Sequence, residues 1–312
     1  AKPSPSPLSE RQQKILDNAI DKQRKFLNGE QKKKRKLNKK QSYTVKAIQE
    51  AGTEIVPVDL GCDIHECVVI KKLTTNIIEH MDYLFNGSRR SQERNQERWV
   101  NKGIQLGKIL GRKLKVRNEE RSLKSTRLTT GKIDRRLISQ LGYDNTNVFH
   151  RIVTDRYKDY FIHISVDASG SMSGEKFEQA MTSAIAIAQA ASMTTGIRVQ
   201  ISLRGTTSCI NENRNQCVTL IAYDSKTDKM SKIKRLFKHL DVFGMTPEGV
   251  AFRSIEKQLL VDGNGCETVF INYSDGYPTY MGNYASDPKT FTKQAINRFR
   301  EAGISILSYF IT

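Results

Sequence analysis

Residues 161–177 read FIHISVDASGSMSGEKF. The run opens almost wholly apolar, ends on Asp167, and passes at once into small polar residues ahead of a helical pattern. A short, near-continuous apolar segment suits a parallel strand covered on both faces. His163 inside it reads as a core histidine with satisfied ring nitrogens. From Tyr160 onward, strand-like and helix-like segments alternate. A helix over 174–194 carries Phe177, Met181, Ala184, Ile185 and Ala188 along one side. IRVQISL (197–203) and CVTLIAYD (217–224) read as strands joined through a polar loop, RGTTSCINENRNQ, into a hairpin. KMSKIKRLFKHL is amphipathic, and GMTPEGVAFRSIEKQLL is a loop entering a helix with Pro247 in its first turn. TVFINYSDG is a buried strand ending at Asp275, PKTFTKQAINRFREAG is a helix stopped by Gly303, and ISILSYFI is a last strand. This order predicts an α/β fold, a doubly wound and mostly parallel sheet over 160–312 with one antiparallel edge hairpin.

The first half differs in charge. The chain carries a formal +18 over 312 residues, and residues 1–160 hold 35 Lys and Arg against 19 Asp and Glu, a net +16. The remaining residues hold 16 against 14, a net +2. Such asymmetry predicts modules with different work. Residues 1–41 read as a basic tail and helix, with a capping box at Ser9 and Gln12 and the dense run QKKKRKLNKKQ. That run lacks interleaved aromatics, which favours a solvated linker or helix face; the other reading is an electrostatic grip on nucleic acid. Residues 42–110 read as a small mixed and helical region: a helix in SYTVKAIQEAG, a strand in CVVIKKL, a helix in TTNIIEHMDYLF, and an Arg-rich helix with an apolar stripe of Trp99, Ile104, Leu106 and Ile109. Residues 111–159 read as a strap leading into the second module.

Several classes are excluded or disfavoured. No apolar run approaches the ~20 residues that span a bilayer. AKPSPSPLSE lacks the apolar core of a secretory signal, so the expected compartment is the cytoplasm and the five cysteines are expected as reduced thiols. Cys62, His65 and Cys67 in GCDIHECV have no second Cys/His pair at zinc-finger spacing, and Cys209 with Cys217 would close a small loop if oxidised. Gly131-Lys132 lacks the remaining residues of a phosphate-binding P-loop, and no nucleophile–base pair is evident. The chain stops on a strand, so a last helix beyond residue 312 is expected to be missing.

In a sheet of this kind, ligands collect at the carboxyl ends of the parallel strands. Three loops carry oxygen groups to that edge: Asp167, Ser169 and Ser171 in the first, Thr246 in the second, Asp275 in the third. Two carboxylates and three hydroxyls suit a hard cation, Mg²⁺, Mn²⁺ or Ca²⁺. Gly170, Gly244 and Gly276 are expected to permit the tight turns around them. Helix capping by Asp167 or a serine is the competing explanation, and it accounts for one of these residues only.

The set DASGSMSG, GMTPEG and YSDGYP resembles the metal-ion-dependent adhesion site of von Willebrand factor A domains. The resemblance implies that Asp167, Ser169, Ser171, Thr246 and Asp275 hold a Mg²⁺-type ion, directly or through water, and that an Asp or Glu of a client protein completes it. Over residues 105–312, TRLTTGKIDRRLISQLGYDNTNVFHRIVTDRYKDYFIHISVDASGSMSG is similar to the approach to this domain in the VWA-bearing cobaltochelatase CobT-like subunit and its phage and bacterial relatives. That likeness implies an adaptor working with a MoxR-type AAA+ ATPase ring, with no activity alone. The alternatives are a subunit of a cobalt or magnesium chelatase in tetrapyrrole metallation, and a nucleic-acid-binding protein acting through its basic half. The family's chelatase subunit has a long acidic stretch before this domain, where this chain is basic.

Overall fold

The computed structural model describes residues 39–80, 89–118, 122–154, 158–208, 215–278 and 287–311. The capping box at Ser9 and Gln12, the run 31–38, the turn at 86–88 and Cys209 lie outside them. Residues Thr44–Thr312 form one unit.

Strand β6 (Tyr160–Asp167) is central, paired in parallel with β7 (Ile197–Ser208) on one side and β9 (Glu267–Ser274) on the other. Its side chains alternate between two apolar layers, which is why the segment is apolar throughout. Ile164 and Val166 face α3 (Arg89–Asn118), α4 (Glu175–Ala191) and α5 (Met230–Leu236). Phe161 faces α6 (Glu248–Asp262) and α7 (Pro288–Glu301). Strand β10 (Ser305–Phe310) pairs in parallel outside β9. The fold is therefore α/β, with a mostly parallel sheet covered by helices on both faces.

The hairpin of β7 with β8 (Asn215–Asp224) is antiparallel, as its short loop predicts, but it is not an edge. Two strands from the 42–110 stretch extend the sheet beyond it, giving the order β1-β2-β8-β7-β6-β9-β10. Strand β2 (Ile64–Ile70) pairs in parallel with β8, and β1 (Thr53–Asp59) pairs antiparallel with β2. Pro57 lies on β1, an outermost strand where a missing N–H breaks no ladder. Helices α1 (Lys39–Glu50) and α2 (Thr75–His80) flank this hairpin in sequence, and Ala47, Ile77 and Ile78 join the core. A separate three-stranded antiparallel sheet, in the order β3 (Ser122–Leu128), β5 (Phe149–Thr154), β4 (Lys132–Ile133), forms the strap.

Helix α3 packs on α4 differently from the expected stripe. Trp99 and Ile104 are buried, but Leu106 and Ile109 are exposed. The contact runs along Trp99, Gly103, Gly107 and Gly111, one side of the helix at four-residue spacing. A Cβ at Gly107 would sit 2.5 Å from Gln189 Cβ and 2.6 Å from the Ala186 carbonyl oxygen. The missing side chains let the two backbones approach closely.

Cys67 and Cys217 face one another across β2 and β8, with Sγ atoms 3.1 Å apart and both residues buried. Cys217 thus neighbours a residue 150 positions away in the chain. Cys62 is exposed.

His163 is fully buried. Its Nδ1 meets Gln200 Oε1 at 2.8 Å, its Nε2 meets Ser202 Oγ at 2.9 Å, and its ring stacks on Phe270. Burial lowers its pKa from 6.5 to about 4, against the raising effect of the Gln200 hydrogen bond. The unfolded chain binds the proton first, so stability is complete above pH 6.5 and falls as pH drops from there toward 4, by roughly 3 kcal/mol in all. Urea unfolding followed across this window should show that slope, and a His163→Asn variant should lack most of it. Gly107→Leu should destabilise by about 2 kcal/mol through overpacking and lower the melting temperature by several degrees. Gly142→Ala, with nothing within 4 Å, should leave it unchanged.

Candidate functional site

The carboxyl edge of β6 gathers the three loops through backbone bonds. Asp167 ends the strand, in register with Arg204 on β7. Its Oδ1 accepts from the Ser169 amide at 2.9 Å, and its Oδ2 accepts from the Ser274 hydroxyl at 3.2 Å. Both carboxylate oxygens are thereby oriented. Ser169 is extended, and a 3-10 turn over Gly170–Met172 follows, anchored by buried Met172. The loop is therefore not extended throughout, yet it still brings the two hydroxyls together: Ser169 Oγ and Ser171 Oγ are 3.0 Å apart. Helix α4 is capped by Gly174 with no side-chain hydrogen bond, so none of these side chains is taken up in capping it.

The second loop is tied to the first. The Gly170 amide donates to the Gly244 carbonyl at 2.9 Å, and the Phe243 amide donates to the Ala168 carbonyl. The Met245 amide donates to Thr206 Oγ1 at 2.8 Å. Gly244 has φ +71°, and a Cβ there would fall 2.1 Å from the Thr206 carbonyl oxygen, so a side chain is excluded twice over. Gly276 likewise has a positive φ, whereas Gly170 does not and needs no glycine on that ground. Thr246 is buried one residue before Pro247, which caps α6. Asp275, half-buried, directly follows Ser274, the residue that donates to Asp167.

Behind this edge lies a group that the sequence did not reveal. Arg204 has no exposed surface. Its Nη1 donates to the Ser165 carbonyl at 3.1 Å and Ser165 Oγ at 2.9 Å. Its Nη2 donates to Glu248 Oε1 at 3.0 Å and the Tyr273 carbonyl at 3.2 Å, and lies 3.8 Å from Asp167 Oδ2. The guanidinium also stands over the Phe252 ring, 5.3 Å from its centroid. Glu248 lies in the first turn of α6, where an acid also favours the helix dipole.

The donor chemistry of Asp167, Ser169, Ser171, Thr246 and Asp275 fits a hard divalent cation: oxygen only, two carboxylates, hydroxyls not engaged in capping α4. Among the described residues, no group of three or more His, Cys, Asp and Glu side chains can hold a metal. An ion held at the Asp167 edge would draw on the hydroxyls as well as the two carboxylates. No described helix is long and apolar enough to cross a membrane.

No family model matches the sequence. No curated protein matches it either. Solved structures similar to this chain include the pilus adhesin SpaC from Lactobacillus rhamnosus GG in its open conformation, at 16% identity and a TM-score of 0.38, over 49% of this chain and 24% of the adhesin. The manganese-loaded TRAP protein of Plasmodium vivax is similar at 17% identity and a TM-score of 0.33, over 49% of this chain and 57% of that one. The match spans about a quarter of the adhesin's length.

Proposed function

We propose that this chain is a metal-dependent protein-binding module of the von Willebrand factor A type, acting as a non-catalytic adaptor. The observation that carries the proposal is the convergence of three loops on the end of β6, with the Ser169 and Ser171 hydroxyls 3.0 Å apart and none of them capping α4. Asp167 and Asp275 balance the charge of a Mg²⁺, Mn²⁺ or Ca²⁺ ion, while Ser169, Ser171 and Thr246 contribute neutral oxygens. The ion supplies a Lewis-acidic point at the surface that accepts one more anionic oxygen. An Asp or Glu carboxylate of a partner is the ligand such a position favours. The CobT-like resemblance makes a MoxR-type AAA+ ring the partner of choice, with the chain in the cytoplasm coupling ring motion to a client.

Three tests separate this from its alternatives. Asp167→Ala should weaken Mg²⁺ binding by roughly a hundredfold or more, while the fold persists because Glu248 still pairs with Arg204. Calorimetric titration with Mg²⁺ checks the first part and far-UV circular dichroism the second. Capture of partners from the native host should retain an AAA+ ATPase with Mg²⁺ and lose it with EDTA. Nucleic acid retained regardless of EDTA and released by salt would instead assign the main activity to the basic half. Tetrapyrrole bound by the chain, read by absorbance, would favour the chelatase alternative.

A further inference from the structure

Arg204 and Glu248 lie outside the donor set, yet directly behind it. Nη2 of Arg204 faces two carboxylates at once, Glu248 Oε1 at 3.0 Å and Asp167 Oδ2 at 3.8 Å. Glu248 opens α6 two residues after Thr246, and its Oε1 also accepts from Asn272 Nδ2 at 2.7 Å. Among the described residues, Nε of Arg204 and Oδ1 of Asn272 have no hydrogen-bond partner. A buried arginine with an unused donor is not what stability alone selects, since well-packed apolar replacements of buried ion pairs are often neutral or better.

We infer that Arg204 is a resident cation that competes with the metal for Asp167, and that Glu248 sets how strongly it competes. The inference rests on the metal reading of the Asp167 edge. With Glu248 in place, the guanidinium charge is matched from the α6 side, and Asp167 is left for the ion. Without that carboxylate, the whole positive charge falls on Asp167 across 3.8 Å between two fully buried side chains, where charges interact far more strongly than in solvent. Arg204 acts through Asp167 and touches no ligand; it is a positioning residue. Metal occupancy is thereby linked to the first turn of α6, because any contact that draws Glu248 from Arg204 weakens the hold on the ion.

Mn²⁺ titration of the full chain, with free ion read by electron paramagnetic resonance, tests this. Glu248→Gln keeps the side-chain shape and an oxygen facing Arg204 but removes the charge, and should weaken Mn²⁺ binding about tenfold or more. The double variant Glu248→Gln/Arg204→Met removes both charges, and should return affinity to within about threefold of the parent, or tighter. A purely structural strut predicts the opposite, a double variant as weak as the single one. That result, or parent affinity in Glu248→Gln, overturns the inference. Should Glu248→Gln fail to fold, the double variant against the parent still decides, because loss of a strut weakens binding and loss of a competitor does not. A parent chain that binds no Mn²⁺ overturns the metal reading itself, and this inference with it, before any variant is compared.

Discussion

A guanidinium with no access to water dictates which polar groups must stand behind the candidate edge. Arginine stays charged in a folded protein, so burying Arg204 obliges the chain to bring oxygen acceptors to it. Those acceptors come from three elements: Ser165 on β6, Tyr273 on β9 and Glu248 at the start of α6. Three of the five candidate metal donors stand two positions along from one of these contacts. Asp167 follows Ser165, Asp275 follows Tyr273, and Thr246 precedes Glu248. Arg204 therefore lies behind all three loops, while the loops themselves are tied to one another by the Gly170–Gly244 and Phe243–Ala168 backbone bonds and the Ser274–Asp167 bond. Deleting one side of such a buried pair costs about 3–5 kcal/mol, because the other charge is left buried and unmatched.

The sheet extends outward from that junction on both sides. β6 is hydrogen-bonded on both sides by parallel strands, and β7 is tied through its hairpin to β8. Strand β8 is in turn covered along its far side by β2, so the hairpin does not end in an open edge. The residues that supply this cover lie far upstream in the chain, where the sequence carries most of its positive charge. Helix α3, from the same stretch, packs on α4 through its glycines and adds Trp99, Val100 and Ile104 to the core on that face of the sheet. The upstream stretch is thus a structural part of the sheet as well as a carrier of charge.

What the sequence revealed follows from how local each signal is. β6 and β9 were legible because strands buried on both faces leave unbroken apolar runs, as in FIHISV and TVFINY. The Asp167–Ser171 loop was legible because its spacing is contained within five residues. Strand β1 was missed because TEIVPVD, half-exposed and holding Pro57, has neither a clean alternation nor a continuous apolar run. The packing face of α3 was misplaced because a hydropathy reading gives glycine no weight, so Leu106 and Ile109 drew attention from Gly103, Gly107 and Gly111. Arg204 and Glu248 were missed because their meaning lies in a contact between residues 44 positions apart. An arginine at the end of an apolar strand ordinarily reads as the place where the chain reaches water.

The character of the groups around Asp167 bears on whether this edge is built to bind or to react. Hydrolysis at a metal site needs a group that can take a proton near neutral pH. His163, four residues before Asp167 on the same strand, is the nearest histidine along the chain, and it is unsuited. Both ring nitrogens are engaged by Gln200 and Ser202, and burial has lowered its pKa to about 4. Its side chain shares the face of the sheet with Phe270 and lies fully inside the core. Glu248, the other acid close to Asp167, is matched to Arg204 and Asn272, which leaves it an electrostatic part. Hydroxyl donors complete the character of the edge: neutral and weak, they would leave an ion bound there, as proposed above, open to one further carboxylate. On that proposal an edge so composed suits reversible capture of an acidic side chain better than chemistry upon it.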